Sequence, residues 1–290
     1  MNKPLIEFVN RKSMIIRESG RSTDFISPSF GYGCLYNCTY CYMKRHLPDG
    51  LTIAKNEGDI LTAINNHSVW LTPKIPNQTH KQYYTYDISC NEDFALHCKY
   101  HNWQRIFDFF KDDDKIMGSF ATKYVNIDLL EYNSKEKIRI RFSLIPENIR
   151  VIVEPNTSKI VDRLKAINHF IEAGYDVHIN FSPIIVYDNW LYDYNQLFIL
   201  IDSIVNQKYK SKVLAECIFL THNESKHLYN TEHNLPGEYL LWAPKLQESK
   251  VSQYGGKNIR YNRFVKKDYI NQFTKLHNKV IPWNTIRYIF

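Results

Sequence analysis

The chain has 290 residues, of which 44% are apolar and 23% charged, with only 10 Gly and 11 Pro. This is globular composition, which excludes disorder, collagen-like repeats and fibrous arrays. No apolar run reaches the ~18 residues needed to cross a bilayer, the first 16 residues lack a signal-type hydrophobic region, and the net charge is +7, so a soluble cytoplasmic protein off the membrane is expected.

In chain order, short β-rich runs alternate with longer helical patterns. Strands are predicted at 25–30, 84–89, 116–121, 137–143, 176–183 and 213–220. Helical periodicity falls between them, at 58–71, 102–112, 157–173 and 190–206. The clearest helix, 157–173, puts Ile160, Leu164, Ile167, Phe170 and Ile171 on one face, with Gly174 as its stop. Six strands with helical crossovers argue for an α/β fold, a parallel barrel or partial barrel. The link between 121 and 137 is short of a convincing helix. Beyond 240 the alternation stops. Two strands are expected within 250–264 around Gly255-Gly256, then a helix over 266–280 and a last strand at 286–290. The chain therefore divides into an N-terminal extension (1–24), a barrel (25–240) and a basic C-terminal region (241–290).

That last region carries ten Lys and Arg against two acids, Glu248 and Asp268, so the first 240 residues sum to −1. A basic block on a neutral chain is the electrostatic footprint of a polyanion partner. A solvated surface gives the same pattern.

Six cysteines are too sparse for a disulfide framework, yet three crowd into eight positions: Cys34, Cys38 and Cys41, at Cys-x3-Cys-x2-Cys spacing. Zinc sites usually take four ligands. Three close thiolates with no adjacent fourth fit a cubane iron–sulfur cluster with one open iron, where a cofactor or substrate would bind. Zinc completed by His46 or Cys90, or buried free thiols, are the alternatives. Cys98 and Cys217 read as core residues.

This spacing, with an aromatic just before the third Cys, resembles the radical S-adenosylmethionine superfamily. The resemblance implies a 4Fe–4S cluster on Cys34, Cys38 and Cys41, S-adenosylmethionine on the fourth iron, and a partial (β/α)6 TIM-type barrel with a C-terminal hairpin extension. Over about residues 25–290 the chain further resembles spore photoproduct lyase. The similar segments are Cys34–Tyr42 with Tyr40-Cys41-Tyr42, Ile88–Asp93, Thr122–Tyr124, Arg141–Ser143, Glu154–Ser158 with the Arg163–Ala166 helix, Ala173–Tyr175, Ser182–Ile184, Trp190 and Tyr254–Lys257. In that family an adenosyl radical takes hydrogen from C6 of a thymine–thymine lesion, the methylene bridge breaks, and a cysteine quenches the resulting thymine radical. The resemblance makes Cys90 the hydrogen donor, with Tyr40 and Tyr42 as the relay for hydrogen between it and 5′-deoxyadenosine. Lys123 and Ser143, with Tyr40 and Tyr42, would contact the cofactor. A flavodoxin or ferredoxin would supply the electron, and a monomer is expected.

Cys34, Cys90, Lys123 and Ser143 all fall at or just past the ends of predicted strands, the face where βα-barrel active sites gather. Taken singly, Cys90 also reads as a small core residue and Ser143 as a strand-end hydroxyl. Reaching a lesion in duplex DNA requires flipping out the thymine dinucleotide. The hairpin offers a wedge, Tyr254, beside Lys257, Arg260 and Arg263 for phosphates; an ordinary edge hairpin is the plain alternative. The chain departs from the family pattern in three places. Only 33 residues precede Cys34, Asn91-Glu92 replace small hydroxyl residues that help hold the cofactor, and Gln253 replaces a basic residue. Two other readings compete with lesion repair: a radical enzyme acting on another nucleobase, RNA or a peptide, and a non-catalytic zinc module that binds nucleic acid.

Overall fold

The computed structural model describes residues 5–45, 50–242, 246–251 and 257–290. Its strands, in chain order, are β1 (Leu5–Val9), β2 (Arg17–Glu18), β3 (Phe25–Ile26), β4 (Gly31–Gly33), β5 (Gly50–Ala54), β6 (Tyr84–Asp87) and β7 (Ile116–Thr122), then β8 (Ile138–Ser143), β9 (Asp176–Ile184), β10 (Leu214–Phe219), β11 (Gln247–Val251), β12 (Lys257–Tyr261) and β13 (Thr285–Ile289). The helices are α1 (Glu57–Val69), α2 (Phe94–His97), α3 (Trp103–Lys111), α4 (Glu147–Val153), α5 (Ile160–Glu172), α6 (Trp190–Ile204), α7 (Glu224–Glu232), α8 (Glu238–Leu241) and α9 (Arg263–Val280). Among the described residues no helix is long and apolar enough to cross a membrane.

The main sheet has eight strands in the order β13-β10-β9-β8-β7-β6-β3-β2. The expected strands β3 and β6 to β10 run parallel, making the partial barrel. Two strands extend it: β13 lies parallel to β10, and β2 antiparallel to β3. The stretch after 240 thus divides. β11 and β12 form a separate antiparallel hairpin, whereas α9 packs on α6 and delivers β13 to the barrel edge.

Boundaries shift for local reasons. The strand expected over 25–30 stops at Ile26, because Pro28 has no N–H for the ladder. The helix expected from 157 starts at Ile160. Thr157 and Ser158 are held outside it by side-chain bonds, Thr157 Oγ1 donating to Glu154 O at 2.8 Å and Ser158 Oγ accepting from Val125 N at 3.1 Å. Gly174 ends that helix with φ +91°. Residues 127–131, in the link that lacked a helical pattern, make a 3-10 helix. The hairpin strands begin and end about three residues before the expected 250–264 window.

The sheet's two faces differ. Ile138, Ile140 and Phe142 of β8, Val177, Ile179 and Phe181 of β9, and Ala215, Cys217 and Phe219 of β10 join the helices in one apolar core, which also holds Cys98. The alternate residues turn inward, and many are polar. Arg141 donates to Asp87 of β6 at 2.8 Å and to Glu216 of β10 at 2.9 Å. Arg287 of β13 donates to Glu216 at 2.9 Å and to the Ser22 carbonyl, before β3, at 2.8 Å. These bonds reach across the lumen and bring β13 to the segment between β2 and β3.

Burial alone would raise Glu216, but Arg141 and Arg287 overcome it and hold its carboxyl at about 2. Because the folded value lies below the ordinary 4.5, this stabilisation is present above pH 4.5 and is lost as pH falls through about 2. Glu216→Gln should cost about 3 kcal/mol at pH 7, since two buried guanidinium groups lose their anion. Urea unfolding between pH 7 and pH 3 should show the gap between wild type and variant narrowing once the pH drops below 4.5.

Candidate active site

A small second sheet carries the cysteine loop. β5 pairs in parallel with β1 and antiparallel with β4, in the order β1-β5-β4. Cys34 follows β4 of this sheet and not the end of a barrel strand, a correction to the sequence-based placement. The chain leaves β4 through Gly33 at φ +105°, a conformation open to glycine.

The 34–41 loop is held on both sides. Tyr36 N donates to Cys34 Sγ at 3.4 Å, and Cys41 N to the Cys38 carbonyl at 3.0 Å. Thr39 N donates to Val153 O at 2.9 Å in α4, and Asn230 of α7 donates to Thr39 O at 3.0 Å. All described cysteines are free thiols.

Cys34, Cys38, Cys41, Cys90, Tyr40, Tyr42, Lys123 and Ser143 line one cavity of about 440 Å³. They reach it from separate elements. Cys90 lies three residues past β6, Lys123 directly follows β7, and Ser143 ends β8. Asp93 ties two of these strand ends together: its carboxylate accepts Thr122 Oγ1 at 2.6 Å and Lys123 N at 2.8 Å, and caps α2 through Leu96 N at 3.2 Å.

The two tyrosines differ. Tyr42, 45% exposed, donates its hydroxyl to the Cys90 carbonyl at 3.0 Å. Tyr40 donates to Glu154 instead. Glu154 is fully buried, accepts Arg163 at 3.0 Å, and lies 4.0 Å from Lys123 Nζ. Burial opposes charge on Lys123, but Glu154 outweighs it, so the ammonium is raised above its ordinary value. Burial, with Asp87 nearby, pushes the Cys90 thiol up to about 11, so its S–H stays intact at neutral pH.

Ser143 Oγ accepts Asn180 Nδ2 at 3.3 Å, and Asn180 Oδ1 is buried beside the cavity without a partner among the described residues. Asn180, Asp93 and Glu154 were not singled out as site residues from sequence. The available signal was weak: Asn180 lies in a predicted strand, Asp93 closes the segment that carries Cys90, and Glu154 opens the Glu-Pro-Asn-Thr-Ser segment. Glu92, at a position where cofactor contacts were expected, turns its Oε2 to His97 and His101. At the hairpin, Arg260 lies over the Phe290 ring at 4.7 Å, and Arg263 is exposed at the start of α9. Tyr254, Gln253, the glycine pair and His46 lie outside the described residues, as does the side chain of Lys257.

Three thiols converging on a roomy cavity, with no fourth Cys in their loop, suit a cluster bound through three of its irons. The cavity, with the Lys123 ammonium and the Ser143 and Asn180 polar groups around it, is of a size and polarity to admit a cofactor beside that cluster.

Comparison with known proteins agrees. The family model for spore photoproduct lyase matches residues 3–290. Spore photoproduct lyase of Bacillus subtilis (strain 168) is 26% identical over 254 residues, covering 86% of this chain and 71% of the relative. The Clostridium acetobutylicum enzyme of that name is 23% identical over 298 residues, covering 97% and 84%. Among solved structures, spore photoproduct lyase complexed with dinucleoside spore photoproduct superposes with a TM-score of 0.86 at 21% identity, covering 98% of this chain and 82% of that one. A variant of that enzyme with bound AdoMet and the same dinucleoside gives a TM-score of 0.85 at 20% identity, with the same coverage. The cysteine trio, the half-barrel and a match along nearly the whole length lead to one conclusion: the chain belongs to the spore photoproduct lyase family, radical S-adenosylmethionine lyases that work with a 4Fe–4S cluster.

Proposed function

We propose that this protein repairs a thymine–thymine lesion of the spore photoproduct type in DNA, with Cys90 as the hydrogen donor. The observation that carries the reading is the shared cavity, in which a protonated Cys90 stands beside the Tyr42 hydroxyl and shares the space with the three cysteines. Cys34, Cys38 and Cys41 would hold the cluster, while Lys123, Ser143 and Asn180 offer polar contacts for S-adenosylmethionine. Together the bound pair would supply the radical chemistry that removes one hydrogen atom from the lesion.

The remaining work falls to side chains of this protein. After the bridge between the thymines breaks, Cys90 gives its S–H hydrogen to the thymine radical. The sulfur is left one hydrogen short, and Tyr42, whose hydroxyl reaches the Cys90 backbone carbonyl, would return one from its O–H. A raised thiol suits this role, because a hydrogen-atom donor must keep its proton. Tyr40, bonded to Glu154, is the second link of the relay, and the hydrogen it passes toward Cys90 would come from 5′-deoxyadenosine, which gained one from the lesion. The lesion is flipped into the cavity, and the basic C-terminal region meets the phosphates through Lys257 and Arg263, with Tyr254 as the wedge. A flavodoxin- or ferredoxin-type donor supplies the electron, and the enzyme acts as a monomer.

Reduced enzyme incubated anaerobically with S-adenosylmethionine and lesion-containing DNA should release two thymines. Under the same conditions Cys90→Ala should yield trapped aberrant adducts, separated chromatographically. No thymine release from the wild type would overturn the substrate assignment. For the DNA contact, Arg263→Ala should weaken binding evenly across sequences. It should lower the slope of log K against log salt by about 1, measured by fluorescence anisotropy.

A further inference from the structure

A line of four titratable side chains runs from α1 to the loop that carries Cys34. Glu57, the first residue of α1, turns Oε1 to His101 Nδ1 at 3.0 Å, and its Oε2 accepts Asn102 N at 3.2 Å. His101 Nε2 meets Glu92 Oε2 at 3.0 Å, and the same oxygen meets His97 Nδ1 at 3.0 Å. His97 Nε2 then accepts the Leu35 N–H at 3.3 Å. The side chains of Glu92, His97 and His101 are completely buried.

The hydrogens along this line have one consistent arrangement. His97 Nε2 accepts an N–H, so its proton sits on Nδ1 and is donated to Glu92. His101 faces a carboxylate from each nitrogen, so it carries two protons and stands as a cation between two anions. Its ring lies flat on Phe94, with centroids 4.9 Å apart and planes 6° from parallel, which fixes the direction of both nitrogens. Gly31 of β4 packs directly on Glu92, and a Cβ there would fall inside contact distance of Oε2, so the carboxylate's position depends on that glycine.

Buried ionic groups contribute less to stability than apolar side chains of the same volume would. Their effect here falls on placement. Leu35 follows Cys34, and the next amide, Tyr36 N–H, points at Cys34 Sγ. The imidazole of His97 takes the Leu35 amide, so one of these two neighbouring donors faces the sulfur and the other does not. Hydrogen bonds to cluster sulfurs are among the main determinants of cluster properties.

We propose that Glu57, His101, Glu92 and His97 form a positioning relay for the cluster loop, with His97 fixing the Leu35 amide and thereby the presentation of Cys34. This rests on the reading of Cys34, Cys38 and Cys41 as cluster ligands. Glu92, at a position expected to serve the cofactor directly, commits Oε2 to this relay.

The test compares wild type, His97→Leu and His97→Gln after oxygen-free cluster reconstitution. It reads iron release to a ferrous chelator and the EPR spectrum of the reduced cluster. His97→Leu should release iron about tenfold faster and change the EPR signal. A glutamine amide in place of the imidazole can accept from Leu35 and donate to Glu92, so His97→Gln should restore both readouts. If His97→Leu does not fold, Glu92→Gln keeps the side chain's size while weakening the acceptor shared by both imidazoles. Iron release should then be severalfold faster, and an unchanged rate overturns the relay. A folded His97→Leu protein with unaltered iron release and EPR, or a defect that His97→Gln does not repair, also overturns it. Iron in the wild type with no response to these variants removes the relay alone, whereas a wild type that takes up no iron removes the cluster reading as well.

Discussion

The ion-paired lumen is the constraint on which the rest of this fold depends. A parallel sheet wrapped by helices on its outer side buries apolar side chains there without difficulty. Its inner side must either fill with apolar groups or satisfy every polar one. Here the charged groups are paired, with Arg141 bound to Asp87 and Glu216, and Arg287 bound to Glu216 and the Ser22 carbonyl, while Nε of each guanidinium and Asn180 Oδ1 have no partner among the described residues. The charges alternate across the lumen, so each guanidinium has an anion. Because the partners sit on β6, β8, β10 and β13, satisfying them sets the curl of the sheet as well as its register. The strand ends that carry Cys90, Lys123 and Ser143 are thereby aimed at one space.

The cavity above this network is built from two sources. The barrel supplies the strand-end residues, and the small sheet of β1, β5 and β4 supplies the cysteine loop. Their join is made by the segment after β6, where Asn91 O accepts Gly33 N at 3.0 Å and Asp93 bonds across to the end of β7. One short stretch, residues 88–93, therefore carries the candidate hydrogen donor and also sets the distance between donor and cysteines. The same electrostatic logic separates the functional groups: burial keeps the Cys90 thiol protonated, while Glu154 keeps Lys123 charged.

Much of this was legible in the amino-acid order, for identifiable reasons. The helices α1, α3, α5 and α6 carry regular apolar faces, and the barrel strands are β-rich runs bounded by turns. The cysteine trio is legible because its spacing is local and leaves few alternatives. What lay hidden is what depends on distant partners. β4 and β5 are three and five residues long and gain meaning only as a pair. The return of β13 to the barrel edge could not be seen in a segment that reads as a basic tail. Tyr40 and Tyr42 look equivalent in sequence, yet Glu154, 114 positions from Tyr40, draws one hydroxyl away from Cys90. Glu57, His97 and His101 carry no motif at all and become a group when the start of α1 meets the segment that follows α2.

The bond from Arg287 to Ser22 joins positions 265 residues apart. Closing so large a loop is entropically unfavourable until the intervening strands are in place. A nascent chain emerging from the ribosome therefore holds every cysteine of the site, and most of the barrel, before the residue that draws the two sheet edges together has been synthesised. The cysteine loop is thus complete before the last strand of the sheet can be laid down.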